Sequence, residues 1–464
     1  MERLTALSAA FLQAEDEDPT TTMAIASAAI FEGPAPEQAE IVEHLAGRIP
    51  LVPQFRQRVR RIPLDLGTPV WEDVADTDLN WHVRRTALPA PGGPDELHRL
   101  MGRIMSARMD RTRPLWEYWV VEGLADGRWA LVQKVHHCVV DGVSGTSLYE
   151  VVFDSTPEPR PPATDTWQPE PPADTVALTA RAVRDLAWAP LRGLANVARS
   201  AVTSPSTVAG QVRETAQGAA ALAASLRPVS STSLTGAISR QRRYTSTVVQ
   251  MSQVKAVRRA HGGTVNDVAL TAITGGFRAL LAARGEQPQP HSVRTLVPVN
   301  VRHPGEEGIP DNRVSLMLPF LPVEIADPVE QLHAVRARIA EALAAKEPDA
   351  GSTLTEAAAY EPYLPVALGV RLAFKFPQRQ LVTVTTNVPG PRHPIYALGR
   401  KCVRIIPYVP IADRMRVGVA IFSYAGELAF GITGDFDATP RADLEVFARG
   451  IQETVDALTA TVDR

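Results

Sequence analysis

The sequence predicts an α/β (α+β) protein built from two lobes, each a mixed β-sheet flanked by helices. The chain of 464 residues is too long for one ordinary hydrophobic core. Helix-like and strand-like stretches alternate from about residue 20 to 155 and again after residue 230, which predicts lobes at 1–155 and 230–464. The stretch between them, 156–229, is rich first in proline and then in alanine, which predicts a crossover linker that contains a helix.

The elements of each lobe follow from hydrophobic periodicity. Apolar residues at helical spacing from Leu97 to Met105 predict a helix, and two β-type runs follow at 116–122 and 129–135. In the linker, a stripe of leucine and valine beside basic side chains predicts a helix around 176–199. In the second lobe the pattern predicts strands near 245–250, 293–301, 313–323, 381–388, 415–424 and 427–435.

Composition and charge exclude several classes of protein. The formal net charge is −3, whereas a nucleic-acid coat would carry a basic surplus, so no nucleic-acid partner is expected. Two cysteines cannot form a disulfide framework or a cysteine-rich zinc site. The N-terminus lacks the order of a signal peptide, and no window is apolar enough to span a bilayer. Any membrane contact is therefore expected at the membrane surface.

Two adjacent histidines are the strongest candidates for chemistry. His136 and His137 end a β-type run, and Asp141-Gly142 is a strong turn signal before a helical stretch. Because successive strand residues face opposite sides, one imidazole is expected to transfer protons and the other to pack or hydrogen-bond. An imidazole suits a general base because its unperturbed pKa is about 6.5.

Other kinds of site fit the same segment less well. Neighbouring strand histidines diverge and no helical H-E-x-x-H pair is present, so no metal is expected. Ser144 does not lie in a G-x-S-x-G elbow, which argues against a serine nucleophile. Cys138 is predicted to be a small buried apolar group.

Several motifs resemble one family. His-His-Cys-Val-Val-Asp-Gly at 136–142 is similar to the HHxxxDG motif of the condensation-domain and chloramphenicol-acetyltransferase-like superfamily of CoA-dependent acyltransferases. Pro114-Leu115-Trp116 resembles the PLW motif of bacterial wax ester synthase/diacylglycerol acyltransferases, and Asn266-Asp267 resembles their ND motif. Similar stretches occur in the family's order at 4–12, 298–302, 311–317 and 386–391. The likeness is strongest to the mycobacterial triacylglycerol synthases.

The resemblance implies a fold and an activity. The fold would be two chloramphenicol-acetyltransferase-like lobes with a substrate tunnel between them. The activity would be O-acyl transfer from acyl-CoA to diacylglycerol, forming triacylglycerol, with acyl-CoA as co-substrate and no cofactor. Alternatives are a wax ester synthase that uses long-chain fatty alcohols, a condensation enzyme acting on carrier-bound acyl chains, and a non-catalytic lipid-binding or droplet-associated protein.

The resemblance also assigns roles to residues. His137 would be the general base, with His136, Asp141 and Gly142 completing the motif, and Gly142 supplying the turn. Asp141 is expected to pair with Arg302, because a bidentate ion pair would fix the turn that aims His137.

A second set is expected to bind substrate. It consists of Asn266, Asp267, Pro114, Leu115 and Trp116. Two alternatives stay open: Asn266 and Asp267 could cap a helix, and Trp116 could belong to the core.

The nature of the acceptor suggests a location. Diacylglycerol is nearly insoluble, so we expect a cytoplasmic protein peripherally associated with the inner membrane or with lipid droplets. The helix around 176–199 could lie on such a surface, or it could be an ordinary packed helix. The oligomeric state does not follow from the sequence.

Overall fold

The computed structural model describes residues 2–140, 145–185, 187–188, 229, 232–300, 314–344 and 381–462. The strands are Ala24–Phe31 (β1), Gln57–Arg60 (β2), Val70–Asp73 (β3), Val83–Ala87 (β4), Trp116–Glu122 (β5), Trp129–His136 (β6), Arg242–Gln250 (β7), Thr295–Asn300 (β8), Val314–Met317 (β9), Thr383–Pro389 (β10), Tyr396–Ala397 (β11), Arg400–Tyr408 (β12), Val417–Tyr424 (β13) and Glu427–Asp435 (β14). The helices are Ala6–Glu17 (α1), Gln38–Ala46 (α2), Leu79–His82 (α3), Pro94–Ser106 (α4), His137–Val140 (α5), Gly145–Val152 (α6), 175–185 (α7), Met251–His261 (α8), Val265–Ala283 (α9), Pro328–Ala344 (α10) and Arg441–Thr459 (α11).

The first sheet has the order β11-β12-β1-β6-β5-β4. It is mixed, since β4 and β5 run parallel while β1, β5 and β12 pair antiparallel with their other neighbours. Strand β6 lies between β1 and β5, and all eight of its residues are buried. A strand that is buried on both faces is held rigidly, so the histidines at its end have a firm support.

The second sheet has the order β7-β14-β13-β10-β8-β9. It is also mixed, because β10 runs parallel to both β8 and β13. The strands predicted in this lobe are confirmed, although the run expected at 313–323 shortens to β9. Pro319 and Pro322 explain the shortening, since proline cannot donate a ladder hydrogen bond.

Two strands from late in the chain belong to the first sheet. Strand β12 pairs antiparallel with β1, from Ala26 opposite Tyr408 to Phe31 opposite Cys402, and β11 continues the edge. The apolar side chains of this hairpin, including Ile405 and Ile406, join the core of the first lobe. The boundaries 1–155, 156–229 and 230–464 stay a prediction, and this exchange shows that sheet membership crosses them.

The two lobes contact each other at two places where the backbone of one packs directly on the backbone of the other. A Cβ atom added at Gly431 of β14 would lie 1.7 Å from the Pro407 carbonyl oxygen of β12. A Cβ atom at Gly102 of α4 would lie 2.7 Å from the Arg242 carbonyl oxygen of β7. Only glycine permits such close contact at these two crossings.

The proline-rich start of the linker is irregular, as predicted, and lies along the first lobe. Arg48 donates to Asp154 at 3.0 Å in a buried ion pair, and its guanidinium also reaches the carbonyl oxygens of Arg160 and Pro161. Helix α7 confirms the first part of the helix expected at 176–199, and residues 189–199 lie outside the described residues.

His98 is a pH-sensitive contact between the lobes. It extends from α4, its Nε2 lies 2.8 Å from Ser246 Oγ of β7, and its ring packs edge-on against Tyr244. Burial lowers the pKa of His98 from 6.5 to about 4, more than the Asp95 carboxylate raises it. The imidazole is therefore neutral at this contact near pH 7.

The folded protein should lose stability as the pH falls through this window. The unfolded chain binds the His98 proton below pH 6.5, whereas the folded chain binds it only below about 4. Stability is therefore unaffected above pH 6.5 and falls by at most about 3 kcal/mol between pH 6.5 and 4. We expect His98→Gln, which can still bond to Ser246, to flatten the change in melting temperature over this range. A slope equal to that of the wild type would contradict the prediction.

Candidate active site

Backbone hydrogen bonds on both sides hold the end of β6. The His136 N–H donates to the Leu115 carbonyl oxygen at 3.0 Å, and the His137 N–H donates to the Met23 carbonyl oxygen at 3.0 Å. Between these two residues the chain turns from strand into α5. The sequence prediction that the histidines lie where a strand ends is therefore confirmed.

The ring of His136 is buried and is 1% exposed. Its Nδ1 accepts the Cys138 N–H at 3.2 Å and lies 3.0 Å from Cys138 Sγ. Because Nδ1 accepts, the proton of the neutral ring is on Nε2, which faces Glu15 Oε1 at 3.5 Å. His136 is thus enclosed in a polar network rather than facing a cleft.

The ring of His137 is more accessible. It is half-buried and packs against Phe11 of α1, with 4.1 Å between ring centroids and 31° between planes. The two rings therefore have different surroundings, as expected for neighbouring residues at a strand end. Cys138 is 2% exposed, which confirms its prediction as a buried group, and its carbonyl oxygen accepts from Ser8 Oγ at 3.2 Å.

Three predicted site residues lie outside the described residues. These are Asp141, Gly142 and Arg302. The ion pair between Asp141 and Arg302, and the turn at Gly142, stay predictions. Ser144, which the sequence argues against as a nucleophile, also lies outside them.

The Pro114-Leu115-Trp116 segment is buried at the start of β5. The Trp116 indole stacks on Phe55 at 4.8 Å and on His82 at 4.2 Å, and its Nε1 donates to the Phe55 carbonyl oxygen at 2.9 Å. Trp116 is fully buried, as the core alternative expects, and its substrate-binding role stays a prediction. The Leu115 carbonyl oxygen holds the N–H of His136, which links this segment to the histidine pair.

Asn266 and Asp267 have different environments at the start of α9. Asp267 forms a capping box with Thr264, accepting the Thr264 N–H at 2.7 Å while Thr264 Oγ1 accepts the Asp267 N–H at 3.2 Å. The Asp267 carboxylate therefore serves the helix end. Asn266 is half-buried, and its Oδ1 accepts a hydrogen bond from Asn387 Nδ2 of β10 at 3.2 Å.

An open groove of about 630 Å³ lies beside Asn266. The N-terminus of α9, Met317 of β9 and one side of α10 form its walls, and the groove combines apolar and basic groups. Its lining includes Asn266, Asp267, Met317, His333, Arg336 and Ile339. Among the described residues no group of acidic, histidine or cysteine side chains could hold a metal ion.

Two residues of the site were missed by the sequence reasoning. Glu15 lies beside His136, and it belongs to an acidic run, residues 15–18, that carries none of the motifs singled out in the sequence. Its spacing from Ser8 and Phe11 places all three on one face of α1, which is the available signal. Asn387 lies in the family-like stretch 386–391 but was not singled out, and its contact with Asn266 joins residues 121 positions apart.

Comparison with known proteins identifies the family. Residues 4–269 match the wax ester synthase/diacylglycerol acyltransferase catalytic domain, and residues 311–459 match the WS/DGAT C-terminal domain. The chain belongs to this family. This WS/DGAT chain is 42% identical to the probable diacylglycerol O-acyltransferase tgs1 of Mycobacterium tuberculosis, over 100% of this chain and 97% of the relative. A putative diacylglycerol O-acyltransferase of the same organism is 34% identical over 100% of this chain and 92% of its own length.

Solved structures agree with the family assignment. The wax ester synthase/diacylglycerol acyltransferase from Marinobacter aquaeolei VT8 superposes with a TM-score of 0.66 and 25% identity, covering both chains completely. The starter condensation domain of rhizomide synthetase RzmA gives a TM-score of 0.56 at 14% identity, over 99% of this chain and 95% of that one, which shows a shared fold alone. The predicted α/β fold of two chloramphenicol-acetyltransferase-like lobes is therefore confirmed for this WS/DGAT chain. Among its described residues, no helix is both long and apolar enough to cross a bilayer.

Proposed function

We propose that this WS/DGAT protein transfers a long-chain acyl group from acyl-CoA to the free hydroxyl of diacylglycerol, forming triacylglycerol, with His137 as the general base. The protein is an acyl-CoA-dependent acyltransferase, as its family and its diacylglycerol O-acyltransferase relatives indicate. The observation that carries the assignment of the base is the difference between the two imidazoles. His136 is enclosed with both ring nitrogens facing protein atoms, while His137 is the half-buried ring.

The reaction needs one proton carrier. His137 takes the proton of the acceptor hydroxyl as its oxygen attacks the thioester carbonyl carbon. The tetrahedral intermediate collapses, the carbon–sulfur bond breaks, and the imidazolium of His137 returns the proton to the CoA sulfur. A thioester is already activated, so a direct transfer requires no covalent enzyme intermediate and no cofactor.

His137→Ala should lower kcat by about 10³-fold, the usual contribution of a positioned general base. The assay offers labelled palmitoyl-CoA with diacylglycerol or hexadecanol to the purified protein. His393→Ala, which removes an exposed histidine, is the control and should retain activity. Label in triacylglycerol that survives in His137→Ala would remove this base from the mechanism.

The same assay separates the remaining alternatives. Label that enters the hexadecanol ester faster than triacylglycerol would favour a wax ester synthase. Label in neither product would favour a non-catalytic lipid-binding or droplet-associated protein, or condensation on a carrier-bound acyl chain.

Asn266 is proposed to donate a hydrogen bond to the oxyanion or to the acceptor. Asn387 Nδ2 donates a hydrogen bond to Asn266 Oδ1, and this contact fixes the orientation of the Asn266 amide. The Asn266 amide N–H₂ group is then the part of this side chain that can donate to a substrate oxygen. The groove beside Asn266 provides space for a ligand.

Asn266→Ala should lower kcat by about 10²-fold, the cost of losing one oxyanion donor, while the melting temperature changes little. The matched control is Thr264→Ala two residues earlier, which breaks the capping box and should cost about 1 kcal/mol of stability without a comparable loss of kcat. Equal kcat values for the two variants would leave Asn266 with a structural role alone.

We infer that α7 and the adjoining loop contact the lipid phase that holds the acceptor. The helix packs on the first lobe through Leu178 and Ala182, which are buried. Its outward side exposes Val176, 73% exposed, and Val183, 49% exposed, beside the exposed Arg184. Trp188, just beyond it, is 53% exposed. Exposed apolar side chains interleaved with arginine are typical of a helix that lies at a lipid interface.

The surroundings of this face suit an anionic lipid surface. Arg60 donates to Thr175 Oγ1 at 2.7 Å and Gly67 approaches Ala182, so the loop between them runs beside α7. Leu64 in that loop is 85% exposed. Arg181 and Arg184 are exposed on the same helix, where they can bind lipid phosphates while the apolar groups enter the interface. This would place the enzyme on the inner membrane or on lipid droplets.

Replacing Val176, Val183 and Trp188 together by serine should reduce binding to phosphatidylglycerol-containing vesicles by at least about 10-fold, because apolar area no longer enters the interface. Flotation of the full chain measures binding. Phe436→Ser removes an exposed apolar side chain elsewhere and is the control. Undiminished flotation of the triple variant would contradict the proposed surface.

A further inference from the structure

The carboxylate of Glu15 lies between the two chain segments that support His137. Its Oε1 accepts the Met23 N–H at 2.7 Å and lies 3.5 Å from His136 Nε2. The Met23 carbonyl oxygen in turn accepts the His137 N–H at 3.0 Å. One side chain therefore contacts the residue before His137 and the residue across the sheet that holds the His137 backbone.

Glu15 is itself held firmly. Its side chain is 3% exposed, and its Oε2 accepts a hydrogen bond from the Arg111 guanidinium at 2.7 Å. The guanidinium of Arg108 donates to the Glu15 carbonyl oxygen, which fixes the end of α1 from the same side. The carboxylate therefore cannot leave its position without breaking two charge-assisted hydrogen bonds, one from the Met23 N–H and one from Arg111.

The face of α1 that carries Glu15 covers the start of α5. Ser8, Phe11 and Glu15 are spaced three and four residues apart, so they lie on one side of the helix. Ser8 Oγ donates to the Cys138 carbonyl oxygen, and Phe11 packs on the ring of His137. Glu15 completes this set at the end nearest His136.

The charge on Glu15 is maintained despite its burial. Burial alone would raise the pKa of the Glu15 carboxyl, but the neighbouring His136 ring and the hydrogen bonds from Arg111 and Met23 hold that pKa well below its ordinary value. An ionised carboxylate only accepts hydrogen bonds, so it suits a backbone N–H and the Nε2–H of a neutral imidazole.

The geometry points to Glu15 as a positioning residue for acyl transfer: it keeps the proton of His136 on Nε2 and ties Met23 to α1, so that the ring of His137 is aimed at the acceptor hydroxyl. This inference rests on the proposed function of His137 as the base. A base must come within about 3 Å of the proton it removes. A displacement of about 1 Å can cost 10²-fold in rate, so a support of this kind affects catalysis directly.

The competing explanation is that Glu15 only anchors Arg111. Two variants separate the explanations, because Glu15→Gln and Arg111→Gln both break this ion pair. Only Glu15→Gln also removes the charge beside His136. The double variant Glu15→Gln/Arg111→Gln removes both charges of the ion pair together. Neither charge is then left buried without its partner, so this variant can be assayed if a single variant does not fold.

The test measures kcat and KM for palmitoyl-CoA together with the melting temperature. We expect Glu15→Gln and the double variant to lose about 30-fold in kcat with KM unchanged, because the orientation of the His137 ring changes while substrate binding does not. Arg111→Gln should keep kcat within about threefold although its melting temperature falls. A wild-type kcat in Glu15→Gln, or equal losses in all three variants, would overturn the inference. Glu17→Gln, which changes an exposed carboxylate on the same helix, is the control.

The ring-nitrogen NMR shifts of His136 test the contact independently of the reaction. With histidine labelled by ¹⁵N and His136→Gln used for assignment, the wild type should show the Nε2–H tautomer, and Glu15→Gln should shift the Nε2 resonance. An Nδ1–H tautomer in the wild type would overturn the inference. Full activity of His137→Ala in the assay above would instead overturn the proposed function. The expected ring-nitrogen spectrum of His136 does not depend on that result.

Discussion

The central strand of the first sheet is the constraint on which the site depends. Strand β6 is buried along its whole length between β1 and β5. Its last ladder bonds, from His136 to Leu115 and from His137 to Met23, hold the chain at the point where it leaves the sheet. The packing of the whole sheet thus fixes the positions of the two imidazoles. General-base catalysis requires such an accurately positioned base.

The two imidazoles illustrate how adjacent residues of one kind acquire different chemistry. His136 has one nitrogen that accepts a hydrogen bond from its own turn and the other facing a carboxylate, so its neighbours favour the tautomer with the proton on Nε2. His137, one residue later, starts a helix, and its half-buried ring packs on the Phe11 ring. The change from strand to helix between them produces the difference, because the direction of the side chain changes with the backbone.

Much of the fold could be predicted from the sequence, because the periodicity of hydrophobic residues and the turn-forming residues indicate local structure. Strand β5 has the predicted bounds, and the buried stripe of α4 follows from the spacing of Leu97 to Met105. The insertion of β12 beside β1 could not be predicted, since pairing across more than 370 positions depends on tertiary packing rather than on local pattern.

The site was predictable in part for the same reason. The histidine pair and Asn266 carry motifs, whereas Glu15 belongs to an acidic run that is typical of a solvated surface. Its burial results from the docking of α1 on α5 and from the position of Arg111, neither of which the sequence pattern reveals. The Asn266–Asn387 hydrogen bond likewise depends on how α9 lies against β10.

The hairpin of β11 and β12 also determines how this chain can be divided. The match to the catalytic domain ends at residue 269, but the strands that cover β1 come from 396–408. A fragment cut at that boundary would expose the backbone donors and acceptors of β1 along an apolar strand, and such an edge recruits foreign strands. Production of either half alone would therefore yield self-associating material, and the two halves are best regarded as a single folding unit.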